Sequence, residues 1–209
     1  MVFKDVGIAY GDKNVIENFN LSIQPGECIA LTGKIGAGKS SLVKALLKLL
    51  PYTGEIYVDG KNTSTLDPSS VRAQVLYVRQ NPLPFNRTLY ENIVYGNETV
   101  TKSQISELFD MYDLHGFFRH GLDTRVGKKG GKLSGGQKMV MFLLRIIIQK
   151  KKKIVVVDEP TSSLDPATAS KIIEIIRDVT QKQTTIIITH DEKVSAIADR
   201  IIVVGPKTE

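Results

Sequence analysis

At 209 residues, with 42% hydrophobic and 24% charged side chains, the chain can bury a proper core as one domain or as one domain with an inserted lobe. Its longest apolar runs are Met139–Ile148, interrupted by Arg145, and Ile154–Val157. Both fall short of the ~18–20 residues of a bilayer span, and the start Met1-Val2-Phe3-Lys4-Asp5 lacks the pattern of a secretory leader. The lone Cys28 excludes an intramolecular disulfide and reads as a small buried strand residue. The net charge of +6 is moderate, and its densest run, Lys150–Lys153, reads as a solvated helix end.

In chain order, period-two apolar patterns predict strands over Val2–Tyr10 and Val15–Ile23, with Gly11-Asp12 between them as a hairpin signal. A turn at Pro25-Gly26 leads into a short buried strand, Cys28–Leu31, then into glycine-rich backbone and a helix over Lys39–Leu50 that Pro51 ends. Glu55–Val58 and Val75–Val78 read as strands. From about residue 81 to residue 150 the texture is helical, with a helix near Ser103–Tyr112 and a buried one over Met139–Ile148. Beyond it, buried strands at Ile154–Val157, Thr184–Thr189 and Ile201–Val204 alternate with helices at Ala167–Thr180 and Glu192–Ala198. The expected fold is α/β, which with the "GKIGAGKS" stretch at Gly33–Ser40 makes a phosphate-loop NTPase core: a mostly parallel sheet over 1–80 and 151–209, an N-terminal antiparallel β part, and an inserted α-helical subdomain over about 81–150.

Two stretches carry chemistry. "GKIGAGKSS" fits the G-x-x-x-x-G-K-[ST] phosphate loop from Gly33 to Ser40, with a strand before it and a helix after. Gly33, Gly36 and Gly38 let backbone N–H groups turn toward phosphate oxygens, Lys39 is a mobile point charge for the β and γ phosphates, and the Ser40 hydroxyl can ligate Mg²⁺. "KKIVVVDEP" places Asp158 at the carboxyl end of a buried strand, where open α/β sheets bind ligands and an acidic residue can hold a Mg²⁺ water shell. Glu159 follows, placed to orient or deprotonate an attacking water, and His190 ends a further buried strand. A second glycine-rich stretch, "GGKLSGGQK", opens another helix. One nucleotide does not need two phosphate loops.

Together these motifs resemble the nucleotide-binding domain of an ATP-binding cassette (ABC) protein over essentially the whole chain. "LSGGQ", Leu133–Gln137, is identical to that family's signature. The resemblance implies ATP and Mg²⁺ as ligands, Tyr10 as the aromatic on adenine, Ala37 and Ser41 beside the loop glycines on the phosphates, and Gln80 as the glutamine that meets Mg²⁺ with Ser40 and Asp158. It implies Glu159, His190 and Lys39 as catalytic residues and Ser162–Asp165, ending in Asp165, as the loop that crosses to another subunit. It also implies head-to-tail pairing with a second such domain, so that Ser134, Gly135, Gly136 and Gln137 serve the partner's nucleotide.

"DTRVGKKGGKLSGGQ", with Thr124, Val126, Gly127 and Gly130, and "QNPLPFNRTLYENIVYG" are similar to exporter sequences at the segments that meet the membrane domain. The implied setting is the cytoplasmic side of a membrane, with a transporter's transmembrane domain as partner and nucleic acid disfavoured. A soluble ABC-type ATPase acting in translation or DNA maintenance is the alternative. Ile35 departs from the serine common in the loop, and "KMVMFLLRIII" is more apolar than the usual helix, although Arg145 fits its arginine.

Overall fold

Strand alternation organises the N-terminal part of the chain, with one deliberate break in phase. The computed structural model describes residues 1–149, 153–181 and 183–205, so Lys150–Lys152 of the expected basic helix end lie outside the described residues. In β1, Val2–Tyr10, the buried positions are Phe3, Val6 and Ile8. Strict alternation would turn Phe3 and Val6 to opposite faces. A bulge at left-handed Asp5 resets the phase, and the ladder to β2, Lys13–Ser22, shifts register there. Asn20 closes the bulge: its Oδ1 accepts from Asp5 N at 3.0 Å and its Nδ2 donates to Asp5 Oδ1 at 2.9 Å.

Two sheets follow. One is antiparallel, in the order β2-β1-β4-β5, with β4 at Thr53–Val58 and β5 at Lys61–Asn62. The other is in the order β6-β7-β8-β3-β9, with β3 at Cys28–Thr32, β6 at Val75–Val78, β7 at Ile154–Asp158, β8 at Thr184–Ile188 and β9 at Arg200–Val203. The pairs β7–β8, β8–β3 and β3–β9 run parallel. The central strands β7 and β8 are buried at every residue, as expected of strands covered on both faces. Cys28 is buried in β3, and burial pushes its thiol up to about 12, which keeps it protonated and inert at neutral pH.

The chain divides into two units. The first comprises Met1–Tyr77, Lys152–Asp158 and Lys182–Glu209, the second Val78–Lys151 and Glu159–Gln181. Side chains of both sheets and of helix α1, Lys39–Leu46, share the core of the first unit, from Phe3, Val6 and Ile56 to Leu42, Val156 and Ile186. Helix α1 ends earlier than the expected Leu50. Lys48 at C′ is left-handed, Lys48 N donates to Ala45 O at 2.9 Å, and Leu49 N donates to Lys44 O at 2.8 Å. That is a Schellman stop, which turns an apolar run of helical spacing into a cap.

In the second unit, α5, Gly135–Ile148, packs on α6, Pro166–Thr180. A Cβ on Gly136 would lie 2.3 Å from Thr168 Cγ2, so a side chain there would force the helices apart. Four helices complete the fold: α2 at Pro68–Gln74, α3 at Leu89–Ile93, α4 at Lys102–Met111 and α7 at Glu192–Ser195. The expected helix at Glu192–Ala198 is shorter, and α2 and α3 lie where no helix was expected. Both carry readable starts: Asp67 caps α2 with Pro68 at its first position, and Thr88 with Glu91 forms a capping box on α3. Among the described residues no helix is long and apolar enough to cross a membrane.

Candidate functional site: a phosphate cradle and a capped signature helix

The cradle belongs to the first unit. Strand β3 runs out at Thr32, and the loop from Gly33 to Gly38 turns the chain into α1. Gly38 is the N-cap of α1 in a left-handed conformation at φ 93°, which only glycine adopts without strain, and no side chain caps the helix. An α-helix leaves its first N–H groups without intrahelical acceptors, so this uncapped start, with the positive dipole end behind it, suits an anion. Lys39 folds back across the loop, its Nζ donating to Gly33 O at 2.7 Å and to Lys34 O at 3.1 Å. Those carbonyls hold the ammonium over the loop.

Tyr10, Val15, Gly36, Ala37, Gly38, Lys39, Ser40 and Ser41 line a cavity of about 270 Å³ at the loop. Tyr10 is half-exposed, and its hydroxyl lies 3.1 Å from Ser41 Oγ. A ring held beside a phosphate loop, with area still open, can receive a planar base. Ile35 stands fully exposed in the loop.

At the floor, Asp158 ends β7 and is buried. Its Oδ2 accepts from Ser40 Oγ at 3.1 Å and from Tyr77 OH at 2.7 Å. Tyr77 was not among the expected site residues. Its signal in the sequence is a phenol inside the short strand "VLYV" just before Gln80. Ser40 and Asp158 together offer hard oxygen donors suited to Mg²⁺, an ion that takes one or two protein oxygens and keeps several waters. His190 follows β8 and is exposed, one residue before Asp191, whose Oδ1 caps α7 through Lys193 N at 2.9 Å.

The other expected residues lie in the second unit. The signature is itself a helix start: Ser134 is the N-cap of α5, and Gly135, Gly136 and Gln137 form the first turn. Ser134 Oγ accepts from Gln137 N at 3.1 Å while Gln137 Oε1 accepts from Ser134 N at 2.9 Å. Gln137 Nε2 also donates to Phe117 O at 2.6 Å, so both ends of this amide are committed to local structure. Ser134 is exposed, and a hydroxyl that accepts from the helix keeps its own proton to donate outward.

Gln80 Nε2 donates to Ser162 Oγ at 3.1 Å, which ties the glutamine to the Ser162–Asp165 loop. Glu159, at φ 48°, and Ser163, at φ 60°, are both left-handed without being glycine. Such conformations cost of order 1–3 kcal/mol each and cluster at functional positions. Asp165 caps α6, its Oδ1 accepting from Thr168 N at 2.9 Å, and that bond holds its carboxyl below the usual range. Sequence spacing did not disclose the Gln80–Ser162 tether.

The family follows from comparison with known proteins. The ABC transporter family model matches residues 16–162, and the chain belongs to that family. A model for an AAA domain matches residues 131–196. Multidrug resistance protein pgp-1 of Caenorhabditis elegans is 35% identical across 100% of the chain, which spans 16% of that protein. The ATP-dependent lipid A-core flippase of Hahella chejuensis is 36% identical over 96% of the chain and 35% of its own length. A bacterial Atm1-family ABC exporter with ATP bound superimposes with a TM-score of 0.86 at 30% identity, over 97% of this chain and 36% of that one. The chain thus spans from about a sixth to about a third of these relatives.

Proposed function

We propose that the chain is the ATP-hydrolysing cassette of an exporter, paired around ATP with a second cassette and driving a membrane domain on its cytoplasmic side. The observation that carries this reading is the pair of unlike helix starts: an uncapped one in the phosphate loop and a serine-capped one in the signature. The alternative, a soluble role in translation or DNA maintenance, is not favoured, because a flippase and a solved ABC exporter are among the relatives.

In this reading Lys39 exchanges the Gly33 and Lys34 carbonyls for the β and γ phosphates of the substrate, and Gly33–Ser41 surround them with backbone N–H groups. Tyr10 stacks on the base. Mg²⁺, when bound, offsets phosphate charge; Ser40, Asp158 and the amide oxygen of Gln80 are the groups that would hold it or its waters. Tyr77 keeps Asp158 oriented through Oδ2. Glu159 polarises the attacking water, and His190 supports the γ-phosphate as charge develops. Ser134, with the N–H groups of Gly135 and Gly136, completes the partner's pocket. The segments around "QNPLPFNRTLYENIVYG" and "DTRVGKKGG" meet the membrane domain.

Complementation tests the composite pocket. Lys39→Ala and Ser134→Arg chains should each be inactive alone. Mixed, they should regain ATPase activity, because one pocket then combines the intact loop of one with the intact signature of the other. A mixture as inactive as its parts would overturn the paired reading.

A further inference from the structure

Charge is distributed unevenly along this chain. Between Asp123 and Asp158 there is no Asp or Glu and there are ten Lys or Arg, although the whole chain is only +6, so the remainder is net acidic. Arg125, Lys128, Lys129 and Lys132 are exposed in the second unit and Lys138 is half-buried. Among the described residues none of the five makes an ion pair.

The loop that carries them is held by its backbone. Leu89 N donates to Thr124 O at 2.8 Å, Val126 N to Arg87 O at 3.1 Å, and Lys132 N to Val126 O at 3.0 Å. A Cβ on Gly130 would meet both Pro84 Cγ, at 2.6 Å, and Lys138 Cε, at 2.8 Å, so these segments touch.

The same segments bring an exposed apolar ridge beside the cations. Leu83, Phe85 and Tyr95 are 66%, 44% and 43% exposed. Phe85 and Tyr95 lie in ring contact at 4.5 Å, and the Arg87 guanidinium is 6.0 Å from the Phe85 centroid. Behind Tyr95, at 5.6 Å, is the buried Arg145, which donates Nε to Asn92 O at 2.8 Å and among the described residues leaves one terminal nitrogen without an acceptor. Desolvation lowers Arg145 only to about 10, so it remains charged at neutral pH. A buried cation lacking its full set of acceptors is stabilised by any anion brought near.

We propose that the membrane-domain segment which meets this face in the exporter reading is acidic, with carboxylates set around an apolar ridge. The inference rests on the exporter reading and adds the chemistry of the partner. A loop held by backbone hydrogen bonds and two exposed rings in contact beside an arginine suit a specific protein contact, where Phe, Tyr and Arg are enriched. They suit single-stranded nucleic acid less, since Phe85 and Tyr95 already occupy one another.

The test titrates the full chain with a labelled amphipathic helical peptide bearing glutamates beside a Leu/Phe face, and with the same peptide bearing lysines. The acidic peptide should bind saturably and weaken roughly tenfold between about 0.05 and 0.2 M salt. Lys128→Glu with Lys132→Glu should weaken it at least about tenfold, Phe85→Ala should weaken it too, and the paired Lys→Gln variant should fall between. Equal binding of both peptides, or indifference to these substitutions, overturns the proposal. So does tighter binding of phosphatidylserine vesicles or duplex DNA with the same residue dependence, which would give the face to lipid or nucleic acid. Co-purification separates the two readings. A membrane subunit recovered equally with wild type and the double glutamate variant ends the acidic-segment inference and keeps the exporter. Peptide binding as described with no membrane subunit recovered ends the exporter reading, and with it the assignment to a membrane domain, and keeps only the preference of this face for acidic partners.

Discussion

Two glycine-rich loops in this chain lead into helices, and they end differently. At the phosphate loop the cap is Gly38, with no side chain to satisfy the first turn. At the signature the cap is Ser134, locked into a reciprocal box with Gln137. The first leaves N–H donors for a ligand and supplies Lys39 against its charge. The second satisfies its own backbone and offers what remains, one hydroxyl proton and the N–H groups of two glycines. An uncapped helix start and a capped one are the arrangement that the proposed shared pocket asks for, with the second loop finishing a pocket begun elsewhere.

The largest test of that contrast is Glu159→Gln. Turnover should fall ~10²–10⁴-fold while ATP binding by the first unit stays near wild type, read by single-turnover hydrolysis and by equilibrium binding. Wild-type turnover would remove Glu159 from the chemistry. Next, Lys39→Ala should weaken nucleotide binding roughly ten- to a hundredfold, the worth of a charged hydrogen bond. Unchanged affinity by calorimetry would mean that the loop backbone alone binds phosphate.

Tyr77→Phe probes the floor of the cradle. Loss of its bond to Asp158 should weaken Mn²⁺ binding in the presence of a non-hydrolysable nucleotide about tenfold, by paramagnetic resonance, with the melting temperature little changed. A variant that loses stability and keeps its metal affinity would make Tyr77 structural. The smallest effect belongs to the signature cap: Ser134→Ala should cost about 1 kcal/mol of stability in denaturant unfolding. An unchanged midpoint would show that the box is not holding the helix.

Much of this is legible in the amino-acid sequence. The strands β3, β7 and β8, the phosphate loop and the signature all declare themselves, because buried runs, punctuating glycines and a Lys-Ser pair are local signals. Helix ends were less legible. The stop of α1 depends on left-handed Lys48, a conformation that lysine does not advertise. The starts of α2 and α3 were written in Asp67-Pro68 and in Thr88 with Glu91, but short helices lack the periodicity that attracts notice.

What the residues by themselves determined is the inventory: a phosphate loop, a strand-end Asp158-Glu159, a signature, and membership of the ABC transporter family. Only the tertiary structure decided the pairings. Tyr77 on Asp158 and Gln80 on Ser162 join residues that chain spacing cannot bring together. Local preference is set by each residue and its neighbours, whereas a hydrogen bond between distant residues exists only once the sheets and helices have been packed.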